Sequence, residues 1–162
     1  MWVGLLMADI EMSITGGDKL RATLERIAAR LGRGGEVAVG FLEGATYPAK
    51  PDQPAQNVAT VAFWNEFGTL RAPPRAFFRR MISAESPGWG HTLAAAAKKT
   101  DYSSEKTLGV MGTVVAGQLQ KSINELTSPP LSPKTIARKG FAKPLIDTGV
   151  MLRAVDYEVK IP

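Results

Sequence analysis

The sequence predicts one α+β domain, a small, mostly antiparallel sheet packed by several helices, and three observations lead to that class. Short runs that alternate apolar with charged residues lie near both ends of the chain. Between them are segments whose apolar residues recur at helical spacing. No apolar run approaches the roughly 20 residues of a membrane span. At 162 residues the chain fits a single domain, residues 1–162, and chains of this size bury roughly 70% of their unfolded surface. The 44% hydrophobic content matches a globular class, and the absence of cysteine excludes disulfides and thiolate chemistry.

Residues 1–7 read as a ragged leader without the basic start of a signal peptide. Ala8 to Ile14 alternates Ile10, Met12 and Ile14 against Asp9, Glu11 and Ser13, the pattern of a first strand. Gly16 and Gly17 turn the chain, and Asp18 is placed to cap a helix through about Leu31 whose Leu20, Leu24, Ile27 and Leu31 share one face. A glycine cluster ends it. Glu36 to Phe41 reads as a second strand with Val37, Val39 and Phe41 on one side. Residues 42–56, with Pro48, Pro51 and Pro54, predict a long exposed loop that either folds against a neighbouring molecule or is a tolerated insertion.

The stretch Asn57 to Arg80 organises the rest. Val58, Val61, Ala62 and Asn65 have the spacing of one helical face, Gly68 can end that helix with a positive φ, and Pro73 and Pro74 close the loop that follows. Ala76 to Ala84 suits strand or helix, with helix the better fit, and Pro87 and Gly88 are expected to interrupt it before a second helix, Trp89 to Lys99. Ser103 or Ser104 should cap a longer helix to about Leu126. Its apolar stripe is Leu108, Met111, Val115, Leu119 and Ile123, and Gly109, Gly112 and Gly117 are expected to permit close packing. Ser132 and Pro133 start a short helix through about Lys139. Lys143 to Gly149 is turn-rich, and Met151 to Ile161 should include a last strand, with Val155, Tyr157, Val159 and Ile161 alternating, expected to pair with the early ones.

Charge is unevenly placed. Residues 1–66 hold six Lys/Arg against eight Asp/Glu, and residues 67–162 hold fourteen against seven. Such asymmetry fits a polyanion-binding surface, complementary stacking faces or a solvated basic face. The residues offer little catalytic chemistry. His91 is the sole histidine and has no nucleophile motif beside it. A zinc site would need carboxylates almost alone, so no metal or cofactor is expected. Glu66, Glu125 and Asp147 lie in separate segments without a paired acidic motif, and phosphate-loop fingerprints are absent.

Glu66 stands near the end of its helix, where the dipole disfavours a carboxylate, so it should have a specific partner: Arg71, Arg75 or Arg79. That pair could lie within the chain or across a subunit boundary. The arginines with Phe77 and Phe78 between them would also suit phosphate contact and base stacking, a weak signal without a recognised binding fold.

Two stretches carry a family likeness. The first is NVATVAFWNEFGTLRAPPRAFFRR, with Ala62, Glu66 to Thr69, Pro74, Arg75, Phe77 and Arg79 in the matching positions and Ala76 where a proline is commoner. The second is PPLSPKTIARKG, from Pro129, followed by KPLIDTGVML, from Lys143. Together they resemble signatures of the head-tail joining, or neck, proteins of long-tailed bacteriophages. The resemblance implies a virion structural protein and no enzyme: an oligomeric ring around the DNA channel, between the connector that closes the head and the tail tube or tail terminator. Tail terminator or tail-completion protein, and a basic DNA-binding phage protein, are the alternatives. A ring needs two different complementary surfaces per subunit. One is expected to include Trp64, Glu66, Phe67, Arg71, Pro74, Arg75 and Phe77, and the other the 42–56 loop or the sheet edge.

Overall fold

The computed structural model describes residues 17–32, 34–41, 44–49, 51 and 54–162. The expected leader and first strand, 1–14, lie outside the described residues. Those described form one α+β domain with six helices and four strands: α1 Gly17–Leu31, β1 Glu36–Phe41, β2 Thr46–Tyr47, β3 Gln56–Asn57, α2 Val58–Phe67, α3 Phe77–Lys99, α4 Ser104–Glu125, α5 Pro133–Lys139, α6 Val150–Arg153 and β4 Val155–Lys160.

An αα-hairpin of α3 and α4 is the scaffold. Ser122 Oγ donates to the Phe77 carbonyl at 2.7 Å, Trp89 Nε1 to Gln118 Oε1 at 2.9 Å, and the hydroxyls of Thr100 and Thr107 lie 2.7 Å apart, so the two helices run antiparallel from the open end to the turn. This scaffold corrects one expectation. Pro87 does not divide the segment; a single helix runs through it from Phe77 to Lys99. A proline inside a helix costs about 3 kcal/mol. That cost is offset here because α3 is held to α4 on both sides of it, by Phe77 and Met81 before and by Trp89 and Ala96 after.

The sheet crosses the hairpin. β1 and β4 pair antiparallel from Glu36↔Lys160 to Phe41↔Val155, which puts the late strand beside the early one as the alternation predicts. Val37, Val39 and Phe41 share a face with Val159, Tyr157 and Val155, and that face lies on α4. Gly112 is where they come closest. A Cβ there would collide with the Tyr157 ring, so only glycine fits. At Gly109 and Gly117 nothing in this chain lies within 4 Å of an added Cβ, so the internal close packing is confined to Gly112.

The core is continuous from Val58 and Ala62 of α2 through Phe77 and Met81 to Leu119 and Ile123, and on to Met151 and Val155. Phe41 packs edge-on to Phe77 with ring centres 6.3 Å apart. The stripe expected on α4 is right at Met111, Leu119 and Ile123, with Val115 partly buried. Where a simple loop was expected at 42–56, β2 and β3 pair Thr46↔Asn57 and Tyr47↔Gln56, and Val58 N donates to the Ala45 carbonyl at 2.9 Å. The two ends of that excursion are therefore pinned to the start of α2.

Candidate assembly interface

The corner between α2 and α3 begins with a cap. Asn57 Oδ1 accepts from the backbone N–H of Ala59 at 2.8 Å and of Thr60 at 3.3 Å, which starts α2 at Val58. Val58, Ala62 and Glu66 then fall on one buried side at four-residue spacing. Glu66 thus brings a carboxylate into a buried position at the end of a helix.

It is stabilised by the next helix. The Glu66 carboxylate accepts the N–H of Phe78 at 2.9 Å and of Arg79 at 3.1 Å, the first donors of α3, and the Arg79 Nε at 2.8 Å. Arg79 also returns a bond from Nη2 to the Glu66 carbonyl at 3.0 Å. Ala76, the residue before α3, supplies no side-chain cap. Glu66 therefore caps α3 from outside, and a charge opposed by the dipole of its own helix is favoured by the dipole of its neighbour. Of the three arginines expected as partners, Arg79 fills the role.

Gly68 ends α2 at φ 80°, and a Cβ there would press on Pro74 N at 2.9 Å. Thr69 and Ala72 then bridge, with Thr69 N donating to the Ala72 carbonyl at 2.9 Å, so Leu70 and Arg71 form the tip of a tight turn. Arg75 N donates to the Asn65 carbonyl at 2.6 Å and folds the chain back.

The Arg75 guanidinium runs inward. Its Nε reaches the Pro129 carbonyl at 3.2 Å and its Nη2 the Pro130 carbonyl at 3.4 Å, and burial lowers its pKa from the usual arginine value. These contacts join the two motif-bearing stretches. Within the second stretch Lys139 Nζ donates to the carbonyls of Lys143 at 2.7 Å and Ile146 at 2.5 Å, tying the end of α5 to the turn-rich connection. Burial lowers the Lys139 pKa, Asp147 opposes that shift, and Arg75 and Arg138 add to it.

The seven residues expected at an interface therefore divide. Glu66, Arg75 and Phe77 are buried in this chain, with partners of their own. Trp64, Phe67, Arg71 and Pro74 remain exposed. Around them lie two residues that sequence reasoning did not single out: Phe63 is 59% exposed and Leu70 is fully exposed, beside Phe67 at 54% and Trp64 at 44%. Phe63 and Phe67 stack with ring centres 4.7 Å apart, and the Arg79 guanidinium lies 4.9 Å from the Phe67 ring centre. The signal for Phe63 was present: VATVAFWNEF is mostly apolar with no single apolar stripe, and such a helix is normally buried on every side.

On another side of α2, Tyr47, Pro48, Val61, Leu145 and Met151 line a cavity of about 290 Å³ with Asp147 at its edge. Burial, and then the Asp147 charge, raise the Tyr47 pKa above 10.0. His91 is exposed on α3. Among the described residues no group of His, Asp and Glu is placed to hold a metal ion, and no helix is long and apolar enough to cross a membrane. The chain matches no protein-family model, no curated protein and no solved structure.

Proposed function

We propose that this protein is a structural component of the neck of a long-tailed bacteriophage, forming an oligomeric ring around the DNA channel and joining the DNA-filled head to the tail. The reading begins with the two motif stretches. Their meeting at Arg75, Pro129 and Pro130 supports treating them as parts of one unit. The observation that carries an assembly role is the outer face of α2. Phe63, Trp64 and Phe67 of α2 and Leu70 of the turn that follows are exposed apolar side chains, and Phe63 and Phe67 are in ring contact. Aromatic side chains bury about 150–250 Å² each, so this patch is comparable to the largest found on ordinary monomers, which are often functional.

We assign the patch to the axial contact, where it docks on the adjoining head or tail component. Arg71, exposed at the tip of the turn, borders it, so the partner surface is apolar with an acidic group facing Arg71. A DNA-binding role for the same stretch gains less support, because Arg75 and Arg79 are engaged within the chain.

The test is negative-stain microscopy of the parent phage with this gene disrupted. Full heads beside separate tails of normal length are expected. Tails of abnormal length would indicate a terminator instead, and infectious particles would overturn the structural reading. Complementation with a Phe63→Ser/Phe67→Ser/Leu70→Ser chain should restore folded protein and leave heads and tails apart.

A further inference from the structure

A second apolar surface lies far from the α2 patch. On α1, Leu20, Leu24 and Leu31 are exposed, Ile27 is half-buried, and no residue is buried. The helix is held at its C-terminal end, where Arg30 Nη1 donates to the Asp101 carbonyl at 2.8 Å and pairs with its carboxylate, and Ser104 Oγ donates to the Arg30 carbonyl at 3.0 Å. Lys19, Arg26 and Arg30, at i, i+7 and i+11, form a basic row along one flank of the leucine stripe. Lys19 and Arg26 make no ion pair among the described residues.

Among the described residues the outer face of the sheet is left open, and its character is opposite. The register puts Glu36 beside Lys160, Ala38 beside Glu158 and Gly40 beside Asp156, on the side away from α4, and Lys160 Nζ pairs with Glu158 at 3.6 Å, so the three carboxylates outnumber the one cation on this face. Ala38 and Gly40 floor a groove of about 400 Å³ bordered by Asp156 and Glu158. Ala38 and Gly40 are small, which leaves room for a helix to approach the sheet closely.

We propose that α1 of one copy packs across the outer face of the β1–β4 sheet of the next copy, its leucines over Ala38 and Gly40 and its basic row beside Asp156 and Glu158. Charge selects this occupant. Two α1 helices would set basic rows side by side, and the α2 patch is bordered by the exposed Arg71, so like charges oppose both pairings. The sheet face is the acidic alternative. Helix and sheet are different surfaces, so the contact is head-to-tail and closes into a ring when its rotation permits. This inference rests on the ring reading above and supplies the subunit boundary that reading needs.

The test uses the full chain, which contains no cysteine, carrying Leu24→Cys and Ala38→Cys together. Both sites are exposed, so the fold should be kept, which thermal unfolding checks. Mild oxidation should give a ladder of disulfide-linked multimers. Adding Asp156→Lys and Glu158→Lys should abolish the ladder, and further adding Lys19→Glu and Arg26→Glu should restore it. An internally linked monomer would mean that α1 reaches its own sheet. Dimers from Leu24→Cys alone would mean that α1 pairs with α1, and no cross-link would mean that another segment, such as residues 1–16, covers the stripe. Each of those three outcomes overturns the proposal. A ladder from the isolated chain together with infectious particles from the disrupted phage would leave the contact standing and remove the neck reading. Separated heads and tails without a ladder would do the reverse.

Discussion

α1 and α2 both expose large apolar side chains, yet for different reasons. α1 is amphipathic with one leucine stripe, and none of its residues is buried. α2 is mostly apolar with no single stripe, with Val58, Ala62 and Glu66 in the interior and Phe63, Trp64 and Phe67 outside. A stripe tells that a helix has one face to cover and leaves open what covers it. A mostly apolar helix without a stripe has more to bury than one core can take, so α2 serves the interior and an outer surface at once.

The comparison breaks most severely if the inner side of α2 loses its support. Phe77→Ala, which empties the site beneath α2, should cost about 3–5 kcal/mol and lower the urea midpoint strongly. An outer-face change should not. A loss equally large from Phe63→Ser would show that the outer patch is part of the core after all.

Glu66 sharpens the boundary between the two sides. Glu66→Ala removes the external cap of α3 and leaves buried N–H donors without an acceptor, a loss of about 2–4 kcal/mol. Arg79→Ala, whose side chain is largely exposed, should cost less, about 1 kcal/mol or under. Chemical denaturation of the two variants checks the order, and a reversed order would sink the capping account.

For the outer surfaces the expected stability change is small. Leu24→Ser on α1 and Leu70→Ser at the turn should each stay within about 0.5 kcal/mol of the parent chain, while assembly in particles is lost. Sedimentation of complemented lysates beside unfolding curves separates these effects.

The smallest effect concerns the cavity beside α2. The Tyr47 pKa is raised above 10.0, so the folded chain holds that proton longer than the unfolded chain does. Stability from the neutral phenol is therefore complete below pH 10 and falls as the pH rises through the folded value. Tyr47→Phe should flatten that fall. Urea midpoints at pH 9 and pH 11, taken for both chains, measure the difference.

Much of the fold could be read from local patterns, because caps and periodicity act over a few residues. Ser132 and Pro133 do start α5, Ser103 does cap α4, and β1 spans Glu36–Phe41 as its alternation predicts. Pro87 could not be placed this way, since the packing that keeps α3 continuous past it comes from α4, elsewhere in the chain. The interface residues divided for the same reason. The family likeness marked Glu66, Arg75 and Phe77 beside Trp64 and Phe67, but exposure depends on which side of α2, and which side of the chain beyond Gly68, faces the core.

By itself the sequence determined the α+β class, the starts of α4 and α5, the pairing of a late strand with an early one, and the need of Glu66 for a partner; Asp18, expected to cap α1, lies within its first turn. Each follows from spacing, caps or a single unfavourable charge. Tertiary structure alone decided that the partner is the start of α3 with Arg79, that Arg75 turns inward to Pro129 and Pro130, and that Phe63, Trp64, Phe67 and Leu70 are left outside. Those outcomes depend on contacts between segments distant in sequence, which periodicity does not encode.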